Sequence, residues 1–128
     1  MDPLEALDFR KGDGLVTALA LDDATGDVLM VAFMNELAVR RTLETGEVHY
    51  WSRSRGKLWR KGEESGKTQD LKAFYVDCDG DCVVVRVEQK GGAACHTGKR
   101  SCFFRRLDDG RWVDVGEQVF DPKEVYGK

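Results

Sequence analysis

Residues 15–34 read LVTALALDDATGDVLMVAFM, and this stretch decides the fold. Residues 15–21 and 28–34 are apolar, β-prone runs. Between them lie Asp22, Asp23, Ala24, Thr25, Gly26 and Asp27, a polar cluster of turn-forming residues, so the segment reads as a hairpin with a longer loop. Asn35 follows as an N-cap. Glu36 and Arg40 then pair at i, i+4, Val39 and Leu43 share a face, and Gly46 ends what reads as the main helix.

Beyond the helix the pattern returns to strands at residues 48–52, 58–61, 71–76, 82–87, 102–106 and 111–115. Ser54, Arg55 and Gly56 separate the first pair, Asp79 and Gly80 the second, and Asp108, Asp109 and Gly110 the third, each with hairpin-turn chemistry. No repeat, low-complexity tract or Pro/Ser-rich linker interrupts the chain. The expected architecture is α+β: one compact domain over residues 1–128, mostly β hairpins and strands with one main helix.

At 128 residues, 41% hydrophobic and 34% charged, the chain suffices for one core without disulfide staples. Its longest apolar run, 28–34, is far shorter than the roughly 20 residues of a membrane helix, and no secretory leader opens it, so the expectation is a cytoplasmic protein with no membrane partner. Four cysteines in such a chain are more often free, catalytic or metal-bound than paired. A net charge of -3 argues against a general nucleic-acid binder. Against that background, Arg53, Arg55, Lys57, Arg60, Lys61 and Lys67 form a basic island tempered only by Glu63 and Glu64, which suits a small anionic ligand.

The island runs from Tyr50 through Trp51, Ser52, Arg53, Ser54 and Arg55 to Lys61, Gly62 and Ser65. Arginine, serine and glycine amides are good phosphate receptors, and Trp51 or Trp59 is placed to stack on a base. The bland alternative is a solvated cationic hairpin. Gly62 followed by Gly66, Lys67 and Thr68 imitates a P-loop but has one residue too few between its glycines.

Residues 77–82, DCDGDC, place Asp77, Asp79 and Asp81 at alternate positions beside two thiols. Oxygen ligands suit Mg²⁺ or Ca²⁺ and thiolates suit Zn²⁺, so the mixture fits two different ions. An EF-hand fails because Cys82 stands where the sharp turn wants glycine and the flanks read as strands. Downstream, residues 95–102 read CHTGKRSC. Six residues between thiols is too wide for a zinc knuckle, and two buried free cysteines are the plain reading. With Cys78, however, Cys95 and Cys102 make three thiolates, and three protein ligands with an open fourth position are the arrangement of a catalytic zinc, which lowers the pKa of bound water to about 7. His96 adjoins this set as a proton carrier, whereas His49 reads as a packing or surface residue. Cys82, opening the run Val83, Val84 and Val85, reads as a small apolar core residue.

Taken in order, residues 50–61 (YWSRSRGKLWRK), then Gly62, Glu63, Ser65 and Gly66, then 77–81 (DCDGD), Glu88 and Gln89, then 95–102 resemble the phosphoribosyl-AMP cyclohydrolase signature over about residues 28–104. The resemblance implies the third step of histidine biosynthesis, in which water opens the adenine ring of 1-(5-phosphoribosyl)-AMP between C6 and N1. It also implies a homodimer sharing zinc on Cys78, Cys95 and Cys102, with Mg²⁺ on Asp77, Asp79 and Asp81. Many relatives are fused to a pyrophosphohydrolase for the preceding step, and the residues after Phe104 are too few to hold one. Two other readings stand beside it. A base deaminase shares zinc chemistry at adenine C6 but signals with His-x-Glu and Pro-Cys-x-x-Cys, both missing from this sequence, and a zinc-stapled nucleotide-binding module would close all four zinc positions.

Overall fold

The computed structural model describes residues 2–125, so Met1 and residues 126–128 of the expected domain lie outside the described residues. After a short 3-10 turn (Pro3–Ala6) come β1 (Val16–Asp22), β2 (Val28–Met34), α1 (Glu36–Thr45), β3 (His49–Ser52), β4 (Lys57–Arg60), β5 (Gln69–Val76), β6 (Cys82–Gln89), β7 (Arg105–Asp108), β8 (Arg111–Asp114) and the short α2 (Pro122–Val125). This is the α+β architecture expected, one domain of mostly strands with one main helix.

Four strands form the main sheet in the order β2-β1-β6-β5. β1 pairs antiparallel with β2, as the hairpin reading required, and parallel with β6. Strand periodicity puts Val16, Ala18 and Ala20 of β1 on the same buried face as Val83, Val85 and Val87 of β6, where Ala18 lies beside Val83 and Ala20 beside Val85. Small residues on one strand facing branched ones on the next let the layer fill without voids. Cys82 sits one step out of phase. It shares the opposite, half-buried face with Val84 and Arg86, so the expectation that it packs in the core is corrected: Val83 takes that position.

One irregularity in the β1–β2 ladder matters for the site. Ala20 pairs with Met30 and Leu21 with Val28, so Leu29 is skipped as a bulge. The extra residue puts both Leu29 and Met30 in the core.

α1 begins where the sequence places it. The Asn35 side chain accepts from Ala38 N at 2.9 Å, and Gly46 at φ 76° supplies the left-handed C-cap. Arg40 and Glu36 pair at 3.1 Å. The buried stripe is Ala38, Val39 and Thr42, with Leu43 exposed, which corrects the pairing of Val39 with Leu43. Thr42 takes the inward position because its hydroxyl donates to Ala38 O at 2.8 Å and accepts from His49 N at 2.9 Å, tying α1 to β3. His49 is buried with Nδ1 2.9 Å from Glu47 O, the packing role expected of it.

β3–β4 and β7–β8 are two-stranded ribbons. The strand expected at 102–106 begins only at Arg105. Ser101 Oγ donates to Val28 O at 2.7 Å and accepts from Phe103 N at 2.9 Å, while Cys102 N donates to Leu29 O at 2.7 Å. These bonds take the backbone out of any ladder of its own. No helix among the described residues is long and apolar enough to cross a membrane.

Candidate functional site

Three pieces of chain carry the candidate residues: the β3–β4 ribbon with the following loop, the β5–β6 turn, and the loop from Cys95 to Cys102.

In the ribbon turn, Gly56 at φ 61° lets its N–H return to Ser52 O at 2.8 Å, and Arg55 N bonds Ser52 Oγ at 3.2 Å. This turn divides the basic island. Arg55 lines a pocket of about 400 Å³ together with Ser52, Lys57, Trp59, Lys61 and Ser65. Arg53 lies instead over the Phe33 ring, 4.1 Å from its centroid, beside a smaller hollow that it shares with Lys11 and Asp81. Trp51 is adjacent to Ser52 in β3 and therefore faces the other side of the ribbon. The indole in the larger pocket is Trp59, tilted against Tyr50 with ring centroids 5.1 Å apart. Ser54 stays at the turn tip, its hydroxyl 3.3 Å from that of Ser52. Gly62, at φ 84°, closes the loop through its carbonyl, which accepts from Gly66 N at 2.8 Å. A Cβ there would run into the Lys67–Thr68 backbone.

The β5–β6 turn brings carboxylate oxygens of Asp77, Asp79 and Asp81 within 4.8 Å of one another. Asp77 Oδ1 accepts from Asp81 N at 3.1 Å and Cys82 N at 3.3 Å. Desolvation pushes the Asp77 carboxyl up, but these N–H groups outweigh it and hold it below the usual carboxylate range. Gly80 is the hinge of the turn. It is buried at φ 76°, its carbonyl accepts from Asp8 N at 2.7 Å, and Lys11 Nζ reaches Asp79 O at 2.9 Å. The N-terminal segment, which carried no signal in the sequence, is thus the buttress of the acidic turn. Cys78 is exposed on it. Burial first, then Asp77 and Asp81, push the half-buried Cys82 thiol up.

In the third piece, Cys95 is buried and Cys102 is held at the bulge by Leu29 O. The two thiols interact: desolvation and the neighbouring Cys95 push Cys102 up to about 11, and nearby Lys61 lowers it by less. Lys61 Nζ donates to Ala94 O at 2.5 Å. Burial pulls the Lys61 ammonium below its usual range, against a smaller opposite effect of Cys102 and Cys95. Lys61 therefore joins the pocket to the thiols, a link the sequence does not show. Thr97 Oγ1 donates to Cys95 Sγ at 3.0 Å, and His96 is exposed at the loop's crest. Arg100 reaches across to Asp22, Asp27 at 2.8 Å and Thr25 at 3.1 Å, fixing the loop on the β1–β2 turn.

Two adjacent thiols are a soft donor pair suited to zinc, and three carboxylates are a hard oxygen set suited to magnesium. Among the described residues the three aspartates are the one set of three such donors that converges, and Cys78 does not meet Cys95 and Cys102 within one chain.

A family model described as phosphoribosyl-AMP cyclohydrolase matches residues 30–104. Proteins of that name are similar along nearly the whole chain. That of Methanothermobacter thermautotrophicus is 60% identical over 127 aligned residues, covering 94% of this chain and 91% of its own. Those of Syntrophotalea carbinolica and Geobacter sulfurreducens are 56% and 55% identical over 122, each covering 95% of this chain and 98% of the relative. With the signature region matched and the relatives aligned almost end to end, the chain belongs to the phosphoribosyl-AMP cyclohydrolase family, a family of hydrolases.

Proposed function

We propose that this chain hydrolyses 1-(5-phosphoribosyl)-AMP in histidine biosynthesis, adding water to adenine C6 and breaking the C6–N1 bond, so that C6 stays on the imidazole as the carboxamide carbon and N1 departs from it protonated, still carrying its ribosyl group. The observation that carries the reading is Lys61, which lines the cationic pocket and bonds the residue before Cys95, so that a basic cavity of about 400 Å³ adjoins a thiol pair.

In this reading Arg55 and Lys57 take a substrate phosphate by charge-assisted hydrogen bonds, with Arg53 and Ser54 at the turn as a further phosphate contact. Ser52, Gly62 and Ser65 shape the pocket floor, and the base stacks on Trp59, with Trp51 left to the far side of the ribbon. Cys95 and Cys102 hold zinc together with Cys78 of a second copy, since Cys78 does not converge with them within one chain. Exposed apolar side chains at Val31, Leu37, Leu43 and Phe103 support such a homodimer. Asp77, Asp79 and Asp81 hold Mg²⁺. Zinc on the thiols supplies a Lewis acid that makes water nucleophilic near neutral pH. His96, exposed beside Cys95, takes the proton from the attacking water. The small anionic substrate fits a cytoplasmic enzyme.

The test is incubation of the purified protein with 1-(5-phosphoribosyl)-AMP, zinc and magnesium, following the absorbance change as the purine opens. Failure to form ring-opened product would refute the reading.

A further inference from the structure

We propose that Gln118 is a positioning residue for the His96 loop, and that the strap of residues 117–120, beyond the segment matched by the family model, completes the site. This rests on the reading that His96 and the adjacent thiols carry the chemistry.

The loop closes on itself only in part. Gly98 N donates to Cys95 O at 3.0 Å and Cys95 N to Lys99 O at 3.2 Å, which leaves the Thr97 and Gly98 carbonyls to be satisfied from outside. The strap supplies both donors. Gln118 Nε2 reaches Thr97 O at 2.8 Å, Val119 N reaches Gly98 O at 2.7 Å, and Arg100 N returns a bond to Glu117 O at 2.9 Å. Gln118 Nε2 also donates to Phe120 O at 2.7 Å. Facing two carbonyl oxygens, the amide has one workable orientation, its NH₂ end inward.

The approach is close enough to demand glycine. Gly98 sits at φ 88°, and a Cβ there would overlap the Phe120 carbonyl oxygen. The strap is itself anchored by Lys67 Nζ, 4.6 Å over the Phe120 ring. Its effect on chemistry passes through Thr97. That residue follows His96 directly and its hydroxyl bonds the Cys95 sulfur. Among the described residues none hydrogen-bonds the His96 ring, so what places the imidazole is the position of its backbone, in the loop that Gln118 holds.

Gln118→Ala, and the isosteric Gln118→Glu that sets a carboxylate against two carbonyls, should lower kcat by about 10-fold to 100-fold, the cost of a small misplacement of a reacting group. KM and the melting midpoint should hold, and Val119 amide exchange should quicken. Gln118→Lys, which keeps a donor for both carbonyls, should restore most of the rate. Unchanged kcat in Gln118→Ala and Gln118→Glu, or a loss that merely tracks the unfolded fraction, would overturn the proposal. His96→Ala in the same assay separates the two ideas. If it is inactive while the Gln118 variants work normally, only the strap proposal falls; if it is fully active, the site reading itself falls.

Discussion

Arg100 and Asp22 form an ion pair that joins the Cys95–Cys102 loop to the β1–β2 turn, with both side chains about three-quarters shielded from solvent. Partial burial raises the Asp22 carboxyl, but the Ala24 N–H and Arg100 outweigh it and hold it below the usual range. Arg100→Ala should therefore cost about 1 to 2 kcal/mol at pH 7, a charge-assisted value discounted for exposure. Because the carboxyl titrates lower in the folded chain than in the unfolded one, this stability is complete above the ordinary carboxylate pKa and disappears as pH falls through the folded one. Urea midpoints of wild type and Arg100→Ala should differ at pH 7 and draw together as pH falls below the ordinary carboxylate range.

Arg55 lines the larger pocket, whereas Arg53 is engaged by the Phe33 ring. Arg55→Ala should raise KM by about 10-fold or more, the worth of one charge-assisted contact to phosphate, with a smaller rise for Arg53→Ala. Steady-state kinetics check both, and an unchanged KM in the two variants would leave the island a solvated surface.

The four thiols should separate cleanly. Cys78→Ser, Cys95→Ser and Cys102→Ser should each lose zinc and activity, while Cys82→Ser, on the half-buried face of β6, keeps both. Mixing inactive Cys78→Ser and Cys95→Ser chains should recover activity in mixed dimers, each with one intact site. Metal analysis and the ring-opening assay read the outcome, and absence of recovery despite subunit exchange would put all three ligands on one chain.

Gly80→Ala should destabilise by about 2 kcal/mol, since φ 76° is costly for a residue with a Cβ and that Cβ would lie 2.7 Å from Ala6 O. The N-terminal buttress would shift and the aspartate turn with it. Thermal melting with and without magnesium should show a lower midpoint and a smaller gain on adding the ion.

The hairpin, α1 and the turns were legible because their signals are local: Asp22 to Asp27 between two apolar runs, Asn35 and Gly46 at the helix ends, Asp109 and Gly110 both at positive φ in the β7–β8 turn. What escaped is tertiary. No pattern in residues 28–34 marks Leu29 as a bulge, so nothing predicted that its carbonyl captures Cys102 and delays β7 to Arg105. Alternation alone leaves open which face of β6 is the core, which is why Cys82 was misplaced. The site motifs were readable as motifs, but Lys61 reaching Ala94 and Gln118 holding Thr97 depend on how distant segments dock.

The parallel pairing at the centre of the sheet, Thr17 beside Cys82, has a consequence for synthesis. On the ribosome β1 and β2 emerge early and can zip at once, yet the inner edge of β1 waits for β6, which begins only at Cys82. Such long-range closure is slow, and an unpaired apolar edge invites pairing with another chain. The nascent protein is thus most vulnerable to aggregation before residue 89 is free, and a chaperone that shields β1 over that interval should raise its yield more than one acting on the finished chain.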